Sequence, residues 1–180
     1  MRISPKKLYS LLLACFALFA FVFLQDLAPA INDVPVGTYV VTEVVDGDTI
    51  AVRMGEEDVK VRLLGLDTPE TVDPRREVQC FGQEASAITK SELLGQNVRL
   101  EDDKSQADKD KYGRLLRYVY LPDGTLFNKW LIANGYGFEY TYNSNPHRYQ
   151  ADFQAAEDSA REQELGLWAK TACNGEVKSK

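Results

Sequence analysis

A chain of 180 residues has room for one ordinary domain beside a short leader, and excludes a two-domain enzyme. With 44% hydrophobic and 27% charged residues it can pack a core, and its formal charge of −6 argues against nonspecific coating of nucleic acid while leaving room for a local basic groove. A single histidine excludes sites built on two imidazoles, and three cysteines with no Cys-x-x-Cys pair argue against a structural zinc centre.

The first thirty residues differ from the rest. Arg2, Lys6 and Lys7 precede an uncharged run from Leu8 to Leu24, and Ala28-Pro29-Ala30 follows. This is the grammar of a signal peptide, so residues 1–30 read as a cleaved leader or, alternatively, a retained N-terminal membrane anchor, with the domain in residues 31–180 and its core in 36–168. As a helix the apolar run would reach about 25 Å, short of a hydrocarbon core of about 30 Å, which favours cleavage. Leu12-Leu13-Ala14-Cys15 resembles a lipoprotein cleavage box, but Phe16 to Leu24 stays apolar where a mature lipoprotein should turn polar. Cleavage after Ala30 leaves 18 basic against 26 acidic residues, a net charge of −8.

Downstream, the β-branched stretch Tyr39–Val45 predicts a first strand and Ile50–Met54 a second, with Asp46-Gly47-Asp48 at the hairpin between them. A third runs from Val59 to Leu66. Phe81, Ala85, Ile88 and Leu93 recur at helical spacing before Gly95, which predicts a helix over Gly82–Leu94. Asn97–Glu101 and Leu115–Leu121 read as two more strands, separated by the polar loop Asp102–Gly113 and closed by Pro122-Asp123-Gly124. A short helix covers Phe127–Ala133. A last one is expected from an Asn145 cap with Pro146 in its first turn to Gly166, burying Tyr149, Phe153, Ala156 and Ala160. Five strands with this interleaving predict a small closed Greek-key barrel of the OB type, an α+β fold with about three helices packed around it.

Three segments concentrate the chemistry. Asp46-Gly47-Asp48-Thr49 places two carboxylates at a hairpin, although Asp-Gly is also a plain turn signal. Arg62 stands before Asp67-Thr68-Pro69-Glu70, so two hairpin aspartates and Asp67 could converge at the barrel rim as hard oxygen ligands, suited to calcium or magnesium rather than zinc. Asp110-Lys111-Tyr112-Gly113-Arg114 adds two cations and a phenol. Taken singly, each also reads as a solvated charged loop.

Together they resemble the staphylococcal nuclease (thermonuclease) family. The D-G-D-T turn, the run Arg62-Leu63-Leu64-Gly65-Leu66-Asp67-Thr68-Pro69-Glu70-Thr71, the helix start Phe81-Gly82-Gln83-Glu84-Ala85, the D-K-Y-G-R segment and the pair Tyr140 and Tyr142 stand in that family's order, across roughly Val36 to Trp168. The resemblance implies an OB-fold, calcium-dependent phosphodiesterase acting on DNA and RNA with weak sequence selectivity and leaving 5′-hydroxyl and 3′-phosphate ends. It implies calcium ligands at Asp48, Asp67 and the Thr68 backbone carbonyl, with Asp46 beside the metal. Glu70 would orient or deprotonate water, and Arg62 and Arg114 would grip the scissile phosphate. Lys111 and Tyr112 would hold a terminal phosphate, and Tyr140 and Tyr142 would flank a base. For Tyr142 simple packing is an equal alternative.

Two rival functions are a nucleic-acid-binding OB module without catalysis and an exported calcium-binding module. The first predicts missing ligands or arginines and none is missing; the second gives Arg62 and Arg114 no purpose. The expected protein is a monomer, exported to a secreted or periplasmic location, with membrane contact only if the leader is retained. After cleavage two cysteines remain, Cys80 and Cys173, and an even pair in an exported chain predicts a disulfide.

Overall fold

The structure, a computed structural model, describes residues 37–71 and 78–176; the leader expected over residues 1–30 lies outside them. Among the described residues no helix is long and apolar enough to cross a membrane.

Five strands close a barrel. They are β1 (Thr38–Val44), β2 (Thr49–Met54), β3 (Glu57–Leu63), β5 (Asn97–Glu101) and β6 (Leu115–Tyr120), in the spatial order β1-β2-β3-β6-β5. Neighbours are antiparallel except at β3 and β6, which run parallel with Val61 opposite Leu115 and Leu63 opposite Arg117. The expected OB-type barrel is therefore present. Alternation sends Val41, Ile50, Val52, Val61, Leu63, Val98 and Val119 into its interior, all buried.

Three helices pack around it: α1 (Gly82–Leu93), α2 (Phe127–Ala133) and α3 (Gln150–Glu162). Phe153, Ala156 and Ala160 form the buried stripe of α3, as the spacing predicts. In α2, Asn128 is fully buried and satisfied: its carbonyl accepts the Val119 N–H at 2.8 Å, and its amide donates to the Leu64 carbonyl at 2.9 Å. That pair of bonds ties the helix to the barrel where the chain leaves β3.

Two elements differ most from the sequence reading, the third strand and the last helix. The third strand ends at Leu63 rather than Leu66, because Gly65 turns the chain with φ of 74° and the His147 ring fills the space where a Cβ would stand, 2.5 Å away. The chain then forms β4 (Leu66–Asp67), paired with β7 (Phe138–Glu139) as a two-stranded ribbon outside the barrel. The last helix starts at Gln150 rather than near Asn145. The Asn145 amide donates to the Ser105 carbonyl instead of capping, and residues 142–144 form a 3-10 turn with Asn143 and Ser144 at positive φ. At its far end α3 stops at Glu162, before the expected Gly166, and a separate 3-10 turn covers Gly166–Trp168.

Cys80 and Cys173 are joined by a disulfide with a Cα–Cα distance of 5.9 Å, as expected from the even pair.

Candidate active site

The Asp46-Gly47-Asp48 hairpin is closed by the Thr49 carbonyl, which accepts the N–H of Val45 at 2.9 Å and of Asp46 at 3.3 Å. Gly47 is needed for space: a Cβ there would stand 2.7 Å from Thr68 Oγ1. The close approach brings Thr68 onto Asp48. Asp48 Oδ2 accepts the Thr68 N–H at 3.0 Å and its hydroxyl at 3.2 Å, and Oδ1 accepts the Thr49 hydroxyl at 3.0 Å. Asp46 Oδ1 accepts the Asp48 N–H at 3.1 Å. Burial first, then the neighbouring Asp48 carboxylate, push the Asp46 carboxyl up to about 7.

Arg62 sits opposite Thr49 in the register of β2 and β3, which aims it at the same hairpin. Its Nη1 donates to the carbonyls of Leu63 and Leu66 at 2.9 and 2.6 Å, and its Nη2 lies 2.7 Å from Asp67 Oδ1 and 3.0 Å from Asp48 Oδ2. Arg114, at the entry to β6, donates from Nε to Asp110 Oδ2 at 2.6 Å and from Nη1 to Thr49 Oγ1 at 3.2 Å. Burial works against the Asp110 charge, but the Arg114 guanidinium and the N–H groups of Arg114 and Tyr112 outweigh it and hold its carboxyl below the usual range.

These groups meet in one small cavity of about 170 Å³, lined by Asp46, Asp48, Arg62, Asp67, Thr68, Pro69, Glu70 and Arg114. Glu70 Oε1 accepts the Thr71 N–H at 2.9 Å. A larger cleft of about 720 Å³ shares Arg62, Asp67 and Arg114 with it and extends past Lys111 and Tyr112 to Tyr140 and Tyr142. Tyr112 and Tyr142 are exposed, at 70% and 59%, and the rings of Tyr140 and Tyr142 stand 6.5 Å apart. Lys111 Nζ and the Arg114 guanidinium lie 5.0 and 5.4 Å from the Tyr112 ring centre. Every site residue read from the sequence thus lines one of two neighbouring cavities that share Arg62, Asp67 and Arg114, and the two cysteines line neither.

Among the described residues no three His, Cys, Asp or Glu side chains converge as a ready-made ion cage. A cation in the small cavity would draw on the two carboxylates nearest each other through Arg62, a backbone carbonyl and water. An all-oxygen donor set with room for solvent fits a hard ion such as calcium, and the absence of thiolate or imidazole in the wall does not fit zinc.

A family model described as staphylococcal nuclease homologue matches residues 60–170. The chain belongs to this family. It is 42% identical over 137 residues to Thermonuclease of Staphylococcus intermedius, covering 76% of this chain and 79% of that protein. It is likewise 42% identical over 132 residues to Thermonuclease of Staphylococcus hyicus, covering 73% and 76%, and 38% identical over 128 residues to Endonuclease YncB of Bacillus subtilis, covering 71% and 59%. The matched span of the staphylococcal nuclease model holds Arg62 through Tyr142 but begins after Asp46 and Asp48. Asp48 is placed in the site by its contacts with Thr68 and Arg62, and Asp46 by accepting the Asp48 N–H.

Sequence reasoning gave no role to Thr49, Asp110 or Thr89. Thr49 bridges Asp48 to Arg114 through one hydroxyl, donating to the first and accepting from the second. Asp110 holds Arg114, and its spacing of four residues from that arginine was the available signal. Thr89, buried in α1, donates to the Gly47 carbonyl at 2.8 Å, a contact across 42 residues that no local pattern announces.

Proposed function

We propose that this protein is an exported, calcium-dependent endonuclease that hydrolyses phosphodiester bonds of DNA and RNA with weak sequence selectivity, leaving 5′-hydroxyl and 3′-phosphate ends. The observation that carries the reading is that Arg62 and Arg114 line the same 170 Å³ cavity as Asp48, Asp67 and Glu70, and that both arginines and Asp67 also line the aromatic cleft. The nuclease names of the relatives support it, and export is supported by the leader grammar of residues 1–30 together with the disulfide.

Asp48, Asp67 and the Thr68 carbonyl would hold calcium, which when bound lends positive charge to the phosphate oxygens as negative charge develops on them. Arg62 and Arg114 grip the scissile phosphate. Their planar forks donate paired hydrogen bonds, and both are already oriented by carboxylates and carbonyls, so little reorganisation is needed at the moment of reaction. Glu70 orients the attacking water or accepts its proton. As the water oxygen bonds to phosphorus the bond from phosphorus to the 5′ oxygen breaks; the departing oxygen takes up a proton and the phosphate stays on the 3′ side. Lys111 and Tyr112 hold a terminal phosphate at the cleft wall. Tyr140 and Tyr142 offer flat faces to any base, which accounts for weak selectivity.

Incubating the purified domain from Ile31 with DNA and with RNA, in calcium and in chelator, and then mapping the ends tests this reading. Cleavage of both polymers in calcium alone is expected. No calcium-dependent hydrolysis by well-folded protein would overturn it.

A further inference from the structure

One residue grips the Glu70 backbone twice. The Glu70 N–H donates to the Gln79 side-chain carbonyl at 2.7 Å, and the Gln79 N–H donates back to the Glu70 carbonyl at 2.9 Å. Beyond Gln79, Phe81 takes a left-handed φ of 67°, a conformation that a residue with a Cβ keeps only where its surroundings hold it. Its ring packs 5.6 Å from that of Tyr136.

The turn at Phe81 drives the start of α1 against the segment that carries Glu70. A Cβ on Gly82 would stand 2.7 Å from Thr71 Cγ2, 2.9 Å from the Pro69 carbonyl oxygen and 3.1 Å from that of Glu70, so only glycine allows the approach. Two turns along, Thr89 of the same helix donates to the Gly47 carbonyl between Asp46 and Asp48. One helix therefore braces both walls of the small cavity, and Gln79 is the link between that brace and Glu70.

We propose that Gln79 is a positioning residue for Glu70: its two-point grip sets where the Glu70 carboxylate meets the attacking water. The proposal rests on the role of Glu70 in the proposed function. Its physical basis is that an acid or base group works only when held to within about half an ångström, and a misplacement of about 1 Å costs on the order of a hundredfold in rate. A glutamate side chain alone has three rotatable bonds; here its backbone is pinned at N–H and carbonyl and Oε1 accepts the Thr71 N–H, which together restrain the carboxylate.

The test compares Glu70→Gln, Gln79→Ala and Gln79→Glu in kcat and KM on a defined single-stranded DNA oligonucleotide at saturating calcium, with amide exchange at Glu70 read separately in metal-free protein. Gln79→Ala should lower kcat by about tenfold or more, leave KM within about threefold, and speed exchange of the Glu70 amide while that of Leu63 is unchanged. Gln79→Glu keeps an acceptor at the same reach and should restore most of kcat, which a loss through global instability would not predict. Should the alanine variant fail to fold, Gln79→Asn, one methylene shorter, gives the same comparison. Wild-type kcat in Gln79→Ala, with Glu70→Gln reduced by more than about a hundredfold, would overturn the positioning role, as would a loss that Gln79→Glu does not restore. Wild-type kcat in Glu70→Gln would instead overturn the reading of Glu70 on which it stands.

Discussion

Arg62 Nη2 donates to Asp67 Oδ1 at 2.7 Å, so a cation proposed to grip substrate is held by a carboxylate proposed to hold calcium. The same nitrogen is 3.0 Å from Asp48 Oδ2. Arg62 and a bound ion therefore compete for the same negative charge, and an ion that neutralises the two carboxylates leaves the guanidinium to a phosphate. Arg62→Ala should lower kcat by more than about tenfold, equivalent to about 1.4 kcal/mol of transition-state stabilisation, yet bind calcium at least as tightly as the parent. Calorimetric titration of calcium without substrate checks the second half; weaker binding in the variant would show that Arg62 supports the ion rather than competing with it.

Arg114 depends on Asp110 in the same way that Arg62 depends on its neighbours. Arg114→Ala should cost more than about tenfold in kcat. Asp110→Asn keeps the shape but removes the charge that holds Nε, so a smaller loss of kcat is expected, and the two substitutions combined should lose little more than Arg114→Ala alone. Additive losses in that cycle would mean that Asp110 acts elsewhere.

Tyr142 is more exposed than Tyr140, and its ring is tilted 50° to it at 6.5 Å, an arrangement open to a base rather than one closed on itself. Tyr142→Ala should raise KM several-fold, in keeping with about 1–3 kcal/mol per stacked base, with kcat within about twofold. A changed kcat at unchanged KM would return Tyr142 to a packing role.

How far the site could be read from the chain follows from which contacts are local. The strands β2 and β3, the helix α1 and the residues from Arg62 to Glu70 announce themselves because alternation, helical spacing and charge all act within a few neighbours. The break at Gly65 did not, since Leu63-Leu64-Gly65-Leu66 reads as one apolar strand until His147, 82 positions further on, supplies the ring that occupies the glycine's open side. Asn145 misled for a related reason. Its amide finds the Ser105 carbonyl across 40 residues, and a cap that bonds elsewhere cannot start a helix.

Asp103 anchors a buried cluster behind the cleft. Burial alone would raise its carboxyl, but the N–H groups of Arg148 and Ser105 with the hydroxyls of Ser105 and Tyr118 outweigh it and hold it at about 2. Tyr118 in turn lies 2.9 Å from His147 Nδ1. A folded value below the unfolded one contributes stability that is complete above the ordinary aspartate range and is lost as pH falls through the folded value, here between about pH 4 and pH 2. Burial also lowers the His147 imidazole, an effect only partly offset by Glu139, so stability already begins to decline as pH drops below the ordinary histidine value. Asp103→Asn should therefore cost about 2 kcal/mol at neutral pH and flatten the unfolding curve between pH 4 and pH 2. Parallel curves for parent and variant over that window would place the acid sensitivity in other groups.

The Cys80–Cys173 bridge closes 93 residues of sequence, for which the chain-entropy model assigns about 4–5 kcal/mol, with strain able to reduce it. It ties the segment before α1 to the chain end, where Gly175 N–H already donates to the Leu167 carbonyl at 2.9 Å. Alkylation before and after reduction should find no reactive thiol at either position in the native, unreduced protein and two after reduction; two in unreduced native protein would refute the bridge. Reduction, or Cys80→Ser with Cys173→Ser, should lower the unfolding midpoint by about 8–20 °C, given about 2–4 °C per kcal/mol for a domain of this size. Catalysis is a separate matter. Neither cysteine lines the small cavity or the cleft, and Gln79 holds Glu70 through its own two hydrogen bonds, so kcat measured well below the reduced midpoint should match the oxidised protein. A kcat that falls on reduction while the fold persists would show that the bridge, and not Gln79 alone, keeps Glu70 in place.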